Sequence, residues 1–261
     1  MNPYDSLPQD PLLRILSIMT ILRSPQGCPW DREQTHKSLK AKLIEECYEL
    51  IEAIDSEDMA SMKEELGDIL LHVFFHAQIA QEEGNFSFLE VLDALCTKLI
   101  RRHPHVFGTE SATTTDEVHK HWEKIKKVEK PHRESLFDGI PSLLPPLLKA
   151  IKLQSRASKM HLDWTSPEGP LLKMEEELQE IKDAYKEKDL EKIKKEIGDL
   201  IFSAINFTRL LGIDPEEAIK ASLLTFEKRC RFVEKELKDK ANPVSPEELD
   251  RLWERAKEEY S

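Results

Sequence analysis

The chain has 261 residues, of which 39% are hydrophobic and 34% are charged, and its formal net charge is −12. This length allows one large domain or two of ordinary size. No apolar run approaches the roughly 18 residues that a transmembrane helix needs, so no contact with a membrane is expected. The acidic balance argues against binding to nucleic acid, which requires a basic surface. A phosphate-bearing small molecule stays compatible, because local cations or a metal ion can reverse the charge of one cleft.

The cysteines and the N-terminal residues indicate the cellular compartment in which the protein is expected. The N-terminal residues lack the basic region and apolar core of a signal peptide. The cysteines form no C-x-x-C pair, so neither a disulfide framework nor a zinc site is expected. A reducing cytoplasm is the simplest setting for such a chain. The four cysteines are Cys28, Cys47, Cys96 and Cys230.

The hydrophobic periodicity predicts helices and no convincing strand, so the expected fold class is all-α. In the first half of the chain, helices are predicted over about 9–23, 36–54, 58–83 and 87–101, with a loop, RSPQGCPWDREQTH, after the first of them. Apolar residues recur in the second helix at steps of three and four, which predicts a face packed inside the domain. They are Ile44, Cys47, Leu50, Ile51 and Ile54.

An internal repeat organises the chain. LIEECYELIEAI aligns with MEEELQEIKDAY, EELGDIL with KEIGDLI, and TDEVHKHWEKIKK with PEELDRLWERAKE, all at an offset of 131 residues. FSFLEVLDALCTKLIRRH aligns with IDPEEAIKASLLTFEKRC at an offset of 127. Such self-similarity predicts a duplication. We therefore expect two helical-bundle domains, 1–130 and 131–261, with a linker at about 129–145 whose Pro, Gly and polar residues are typical of a connector.

Each repeat carries two acidic pairs at helical spacing. Residues three apart on a helix lie on nearly the same face, with about 5–6 Å between their Cβ atoms. A short turn between the two helices favours antiparallel packing, which would bring the four carboxylates together. The first set is Glu46, Glu49, Glu65 and Asp68, and the second is Glu177, Glu180, Glu196 and Asp199.

Four carboxylates in one place are costly unless a cation lies among them or some take up protons. An all-oxygen set suits a hard divalent cation, Mg²⁺ or Mn²⁺ as its substitute. Phosphate oxygens of a substrate often complete the coordination of Mg²⁺, so the sets indicate phosphate chemistry. The alternative is a solvated acidic face. The recurrence of the same four positions in a diverged copy argues against that alternative.

The motif E-E-x-x-E followed by E-L-G-D, with CPWDREQTH before it and KLIRRHPHVFG after it, resembles the MazG-type nucleoside triphosphate pyrophosphohydrolases. The resemblance covers essentially the whole chain, including the tandem arrangement. It implies an all-α fold, Mg²⁺ dependence, a homodimer, and hydrolysis of nucleoside triphosphates to the monophosphate and pyrophosphate. It also implies that the two acidic sets are the metal ligands. Glu45 and Glu176, each one residue before a set, are candidates to hold or deprotonate the attacking water.

Cations beyond the metal are expected to bind the phosphates. Lys42 and Lys173 stand one turn before the acidic pairs, and Lys192 stands in the same relation to Glu196. Lys98, Arg101 and Arg102 cluster near the end of a helix, where the alternative is that they only complement its dipole. In the second copy the corresponding residues are Thr225, Lys228 and Arg229.

Related second domains usually have a phosphate-contacting lysine at the position of Thr225. Lys195 or Lys228 is a candidate to compensate for its loss. Because Thr225 lacks the charge of that lysine, the second site is expected to be less active than the first. We therefore expect Glu49→Ala to cost more activity than Glu180→Ala.

Aromatic residues are candidates to stack on a base. Trp253 resembles a substrate-contacting tryptophan of the family, and Trp122 is its internal counterpart. Trp30 and Trp164 precede the acidic helices; core packing is the alternative for every tryptophan. Asn206 is a candidate polar contact confined to the second copy. His103 and His105 are expected to mark a helix exit rather than to bind metal.

Two other interpretations compete with a broad pyrophosphohydrolase. One is a narrow pyrophosphatase for dUTP or dCTP. The other is a non-catalytic helical interaction protein whose acidic clusters bind metal only structurally or bind a partner. Turnover of a nucleotide panel distinguishes all three.

Overall fold

The computed structural model describes residues 7–129, 134–238 and 244–260. Within these ranges every regular element is a helix and no strand occurs, which confirms the predicted all-α fold class. None of these helices is long and apolar enough to cross a membrane. The helices are α1 (Pro11–Arg23), α2 (Pro29–Glu33), α3 (Lys40–Asp55), α4 (Met59–Glu82), α5 (Phe88–Arg102), α6 (Pro104–Phe107), α7 (Thr115–Glu129), α8 (Pro146–Ser158), α9 (Glu168–Glu187), α10 (Leu190–Leu210), α11 (Pro215–Leu237) and α12 (Pro246–Glu259).

The helices form two compact units, Met1–Lys130 and Pro131–Ser261. In the first unit α3 packs along α4, and in the second α9 packs along α10. By sequence alignment α8, α9, α10, α11 and α12 correspond to α1, α3, α4, α5 and α7. Of the predicted linker, residues 130–133 lie outside the described ranges, and residues 134–145 consist of turns and irregular segments.

A short turn joins the two long helices of each unit. It contains Glu57 in the first copy and Lys188 in the second, with φ angles of 55° and 59°. The next residue caps the following helix: the Asp58 carboxylate accepts from the backbone of Ala60, and Asp189 caps α10 in the same way. Connections this short make the helices antiparallel, so their acidic pairs face each other.

The first unit has an aromatic core. Phe74 and Phe88 pack with their ring centroids 4.5 Å apart, and Met19 and Phe75 are buried beside them. The second unit buries more alanine and polar side chains and no aromatic one among its described residues, so its centre is less apolar. Its buried residues are Ala150, Gln154, Pro170, Glu177, Ala184, Glu196, Ser203, Ile205, Leu252 and Ala256.

The apolar stripe of α3 differs from its prediction. Ile44 is 57% exposed and Ile54 is 51% exposed, whereas the buried residues of α3 are Glu46 and Ala53. The prediction that this apolar stripe packs inside the domain is therefore wrong for the first unit, in which the stripe is exposed. The physical reason is that α4 covers the side of α3 that carries Glu46, and periodicity cannot show which side a neighbour covers.

Two predicted boundaries also change. The predicted loop after α1 contains the helix α2, which begins at Pro29. The predicted second helix begins at Lys40 rather than at 36. The turn before it is fixed by a reciprocal pair of hydrogen bonds: Thr35 N donates to Ser38 Oγ at 2.9 Å, and Ser38 N donates to Thr35 Oγ1 at 3.1 Å. Such side-chain bonds compete with helix formation.

Candidate functional site

Three acidic side chains meet between α3 and α4. One carboxylate oxygen from each of Glu46, Glu49 and Glu65 lies within 4.8 Å of the others. Glu46 is only 6% exposed. Asp68, the fourth predicted ligand, is not one of the three, but its charge, after burial, raises the pKa of Glu65. The packing thus brings the first predicted set to one place, with three members at ligand distance.

The same arrangement recurs between α9 and α10. Oxygens of Glu177, Glu196 and Asp199 lie within 4.8 Å of one another. Glu177 and Glu196 are each 3% exposed. Glu180 lines the same cleft, and the charge of Glu196, then burial, raises the pKa of Glu180. Each unit therefore holds an acidic cluster on its central helix pair.

One lysine spans two glutamates in each copy. Lys42 Nζ lies 3.1 Å from a carboxylate oxygen of Glu45 and 3.1 Å from one of Glu46. Positions three and four residues apart on a helix allow this double contact. In the second copy Lys173 Nζ lies 2.9 Å from Glu176 and 2.6 Å from Glu177. Both candidate phosphate-binding lysines therefore lie at the acidic clusters, and each also pairs with the glutamate that is predicted to hold the attacking water.

Crowding shifts the pKa values of the carboxyl groups. A hydrogen bond with Glu46 raises the pKa of Glu49, because two carboxyl groups that share such a bond must hold a proton between them. Burial raises the pKa of Glu46, but hydrogen bonds from Lys42 and Glu49 outweigh burial and leave that pKa lowered. In the second unit, the hydrogen bond from Lys195 lowers the pKa of Glu196. Each cluster thus requires a proton or a cation.

A buried oxygen in the second cluster is open to a metal ion. Glu177 Oε2 is buried and has no hydrogen-bond partner among the described residues, whereas Oε1 lies 2.6 Å from Lys173 Nζ. Leaving a buried carboxylate oxygen unsatisfied is costly. The surrounding donors are all oxygen, the set that hard divalent cations prefer. The residues present therefore fit such a cation.

A cleft of about 520 Å³ opens beside this second cluster. Lys195 Nζ lies 3.0 Å from Glu196 and 3.2 Å from Asp199, and Trp164, 48% exposed, forms part of the wall. The volume falls within the roughly 300–1,000 Å³ of small-molecule sites. Besides the four carboxylates, the lining consists of Trp164, Lys173, Lys195, Phe202, Ser203 and Asn206.

Phe202 and Ser203 are cleft residues that sequence reasoning missed. They follow Asp199 by three and four positions, which puts them one turn further along the same face of α10. That spacing was the available signal. Asn206, a predicted contact, does line the cleft, and its Oδ1 accepts a hydrogen bond from Arg209 Nη2 at 2.7 Å.

The predicted arginine clamp of the first copy binds a glutamate. Arg101 and Arg102 lie 2.6 Å and 2.5 Å from the carboxylate of Glu129, at the end of α7. The hydrogen bond from Arg102 lowers the pKa of Glu129 to about 2. Lys98 is exposed. These contacts join α5 to α7, and the substrate roles of the three cations stay predictions.

The remaining cations of the second copy also have contacts away from the acidic cluster. Arg229 Nη2 donates to the backbone carbonyl of Tyr260 at 2.8 Å, which joins α11 to the end of α12. Lys192 pairs with Glu187 at 3.6 Å, and Lys228 is exposed. Lys195 is the predicted compensating cation that the structure brings to the cluster.

The aromatic candidates occupy different environments. Trp122 contacts His103 edge-on, with 5.4 Å between centroids, and Trp253 contacts Phe226 at 5.6 Å. Trp30 contacts Phe75 at 6.5 Å. These contacts favour packing roles, and substrate contacts of Trp122 and Trp253 stay predictions. His103 is the C-cap of α5, which confirms that it marks the helix exit, and His105 follows in α6.

Comparison with known proteins bears on both acidic clusters. A family model described as the MazG nucleotide pyrophosphohydrolase domain matches residues 34–107 and 165–233, and each matched segment contains one cluster.

Similar proteins cover nearly the whole chain. The nucleoside triphosphate pyrophosphohydrolase/pyrophosphatase MazG of Thermotoga maritima is 49% identical over 248 residues, which span 93% of this chain and 94% of that protein. The nucleoside triphosphate pyrophosphohydrolase of Escherichia coli (strain K12) is 40% identical over 253 residues, which span 94% and 96%. The uncharacterized protein YabN of Bacillus subtilis is 44% identical over 247 residues, which span 93% of this chain and 50% of YabN.

Proposed function

Because the chain belongs to the MazG nucleotide pyrophosphohydrolase family and is therefore a hydrolase, we propose that it hydrolyses ribo- and deoxyribonucleoside triphosphates to the monophosphate and pyrophosphate. The observation that carries the proposal is the 520 Å³ cleft, which is lined by Lys173, Lys195 and Glu177, whose buried Oε2 has no hydrogen-bond partner among the described residues. A triphosphate needs cations, and a hard divalent cation needs oxygen ligands. The cleft offers both sets of groups.

The proposed cation is Mg²⁺, or Mn²⁺ in its place. The first cluster, with Asp68, and the second, with Glu180, would hold it. When bound, it supplies charge neutralisation for the phosphates and lowers the pKa of a coordinated water. The proposal is supported by the all-oxygen donor set and by the neighbouring carboxyl groups, Glu46 and Glu196, that raise the pKa values of Glu49 and Glu180.

The chain's own residues orient the reaction. Lys173 and Lys195 in the second unit, and Lys42 in the first, would bind phosphate oxygens, for which they would exchange their present carboxylate partners. Glu45 and Glu176 would accept a proton from the water that attacks the α-phosphorus. Trp164 would pack against the ribose of the nucleotide, because its exposed ring stands in the cleft wall.

We also propose a cytoplasmic homodimer that serves nucleotide-pool housekeeping. The exposed stripe of α3, which includes Ile44, Ile51 and Ile54, supports self-association, because an uncovered apolar face is a common interface signal. The cysteines are free in the described residues, which suits a reducing compartment. Light scattering measures the oligomeric state directly.

Pyrophosphate release from a panel of nucleoside triphosphates with Mg²⁺ tests the activity. The wild type is expected to turn over several nucleotides, and the double variant Glu49→Ala plus Glu180→Ala none. Glu33→Ala plus Glu217→Ala is the matched control, because it removes one exposed glutamate from each unit outside the clusters. Turnover confined to dUTP or dCTP would support the narrow pyrophosphatase instead. No turnover of any nucleotide would overturn the enzyme proposal and favour a metal-binding scaffold.

A further inference from the structure

A second cavity of about 290 Å³ adjoins the cleft of the second unit. Phe202 and Asn206 line both spaces. The volume stands at the lower end of the roughly 300–1,000 Å³ range of small-molecule sites, so it suits one ring system rather than a whole nucleotide. Its other walls include the apolar side chains of Phe137, Leu153 and Leu162.

One buried acceptor in this cavity has no hydrogen-bond partner among the residues that the structure describes. Gln154 is 5% exposed, and its Nε2 donates to the Phe202 backbone carbonyl at 2.8 Å. Because a carbonyl oxygen only accepts hydrogen bonds, this contact fixes the orientation of the amide. Gln154 Oε1 is buried and makes no hydrogen bond within the described residues. Buried polar atoms are nearly always paired, so an unpaired acceptor at a cavity wall points to a donor from a ligand.

Asn206 supplies a hydrogen-bond donor to the same cavity. Arg209 donates to Asn206 Oδ1 through Nε at 3.1 Å and Nη2 at 2.7 Å. Arg209 is itself held by Asp163, 2.5 Å away. Since Oδ1 is engaged, the amide Nδ2 is the group of Asn206 that remains a donor for a ligand. One wall thus offers an acceptor and another a donor, the pair that matches the edge of a nucleobase, where N–H groups alternate with acceptors.

The first copy shows that the fold does not require these polar groups. PLLRILSIMTILR in α1 aligns with PLLKAIKLQSRAS in α8, which places Met19 over Gln154. Asn206 aligns with Phe75. Met19 is 1% exposed and Phe75 is 4% exposed, and both belong to the hydrophobic core. Two apolar core positions of the first unit are therefore polar cavity walls in the second.

We propose that this cavity receives the base of the nucleotide and that Gln154 Oε1 accepts a hydrogen bond from a base N–H group. This inference rests on the proposed function, because the acidic cluster next to the cavity would hold the phosphates. Gln154 is then a specificity-determining residue of the second unit, and Met19 gives the first unit no equivalent. The site of the second unit would therefore form a hydrogen bond to the base at this position, and the site of the first unit would not.

The experiment compares substrates with and without a base. Gln154→Met, which installs the first copy's residue, is assayed in a Glu49→Ala background with nucleoside triphosphates and with ribose 5-triphosphate. A site that loses a hydrogen bond to its ligand discriminates by roughly 10-fold or more. We expect a loss of about that size in kcat/KM for the nucleotides, mostly through KM, and no comparable loss for the abasic compound. Equal losses on both substrates, or no loss on either, would overturn the inference.

Gln179→Met is the matched control, because Gln179 is an exposed residue of α9 whose amide donates to Asp183 at 3.1 Å. It is expected to leave the substrate ratio unchanged. A measurement on the wild type keeps the test independent of folding: ribose 5-triphosphate hydrolysed as efficiently as nucleotides also refutes the base pocket. If the wild type hydrolyses neither class, the proposed function fails. Calorimetric titration with free nucleosides then decides the pocket alone, because binding lost in Gln154→Met supports it and absence of binding refutes it.

Discussion

The two units share a backbone plan and an acidic cluster, yet they differ around that cluster. In both, a lysine one turn earlier pairs with the buried glutamate: Lys42 with Glu46, and Lys173 with Glu177. The first unit has aromatic side chains in its core and a cavity of about 250 Å³ that is lined in part by His72 and Phe86. In the second unit a cleft of about 520 Å³ lies beside the cluster. The comparison teaches that ligand positions can stay fixed in a duplicated bundle while neighbouring core positions change character.

The charge around the two clusters also differs. Lys195 lies within salt-bridge distance of Glu196 and Asp199 in the second unit. The aligned residue in the first unit is Glu64, whose charge contributes to the raised pKa of Glu65, after burial, Asp68 and Glu46. The first cluster is therefore more negative. The second already has a lysine whose ammonium group can exchange its carboxylate partner for a phosphate.

A third difference is at the helix ends away from the clusters. Arg102 joins α5 to α7 through the carboxylate of Glu129. The aligned Arg229 joins α11 to α12 through the backbone carbonyl of Tyr260. The aligned arginine thus meets a carboxylate in one unit and a backbone carbonyl in the other, so of these two contacts only that of Arg102 depends on the ionisation of an acid.

The largest expected effect is the loss of one acidic cluster. The identity of Thr225 predicts that Glu49→Ala costs more activity than Glu180→Ala, but the cleft favours the opposite order. Thr225 Oγ1 donates to the Ala221 carbonyl within its own helix, whereas Lys195 Nζ lies 3.2 Å from Asp199 and is the cation that would compensate. We expect Glu180→Ala to lower total turnover by roughly 10–100-fold, the range for weakened metal sites. Steady-state pyrophosphate release measures the activity of both variants. A larger loss in Glu49→Ala would support the order that Thr225 predicts.

A smaller effect is expected from exchanging the charge beside the clusters. Lys195→Glu, assayed in a Glu49→Ala background, installs the residue of the first copy. It removes a phosphate cation and adds a repulsive charge, so we expect kcat/KM to fall by about 10-fold. The reciprocal Glu64→Lys in a Glu180→Ala background should raise kcat/KM of the first site. If both exchanges leave kcat/KM unchanged, the charge difference between the units has no role in turnover.

The smallest expected effect is on stability, and it depends on pH. The arginines lower the pKa of Glu129 from its ordinary 4.5 to about 2. A lowered pKa in the folded state contributes stability that is fully present above about 4.5 and is lost as the pH falls through about 2. We expect Glu129→Gln to cost about 1.5–3 kcal/mol near neutral pH, the range for hydrogen bonds to charged groups. Hydrogen exchange in α7, compared with wild type at each pH, measures the difference.

The contact of Arg229 with the Tyr260 carbonyl is the control for this prediction. Arg229→Gln removes hydrogen bonds to a carbonyl that does not titrate, so its effect on exchange in α12 should be constant over the same pH window. A pH-independent effect of Glu129→Gln would show that its charge does not contribute to the connection.

The sequence by itself determined the helical class, and its internal repeat predicted the duplication and the helix pairs on which the two acidic clusters lie. Helical spacing specifies which side chains share a face, and the exact recurrence of the acidic positions linked two faces of the same hairpin. The spacing of Glu46 to Glu49 and of Glu65 to Asp68 therefore predicted a meeting point, and the packing of α3 on α4 brings three of these carboxylates within 4.8 Å.

Only the tertiary structure decided what lies opposite each face. Periodicity could not show that Ile44 stays exposed while Glu46 is buried, since that depends on where α4 packs. It could not show that Arg102 pairs with Glu129, because that contact joins helices far apart in sequence. Nor could it show that the buried oxygen of Gln154 has no hydrogen-bond partner in the part of the chain that the structure describes. Pairing across helices depends on distances in space, and a helical pattern carries information only along its own axis.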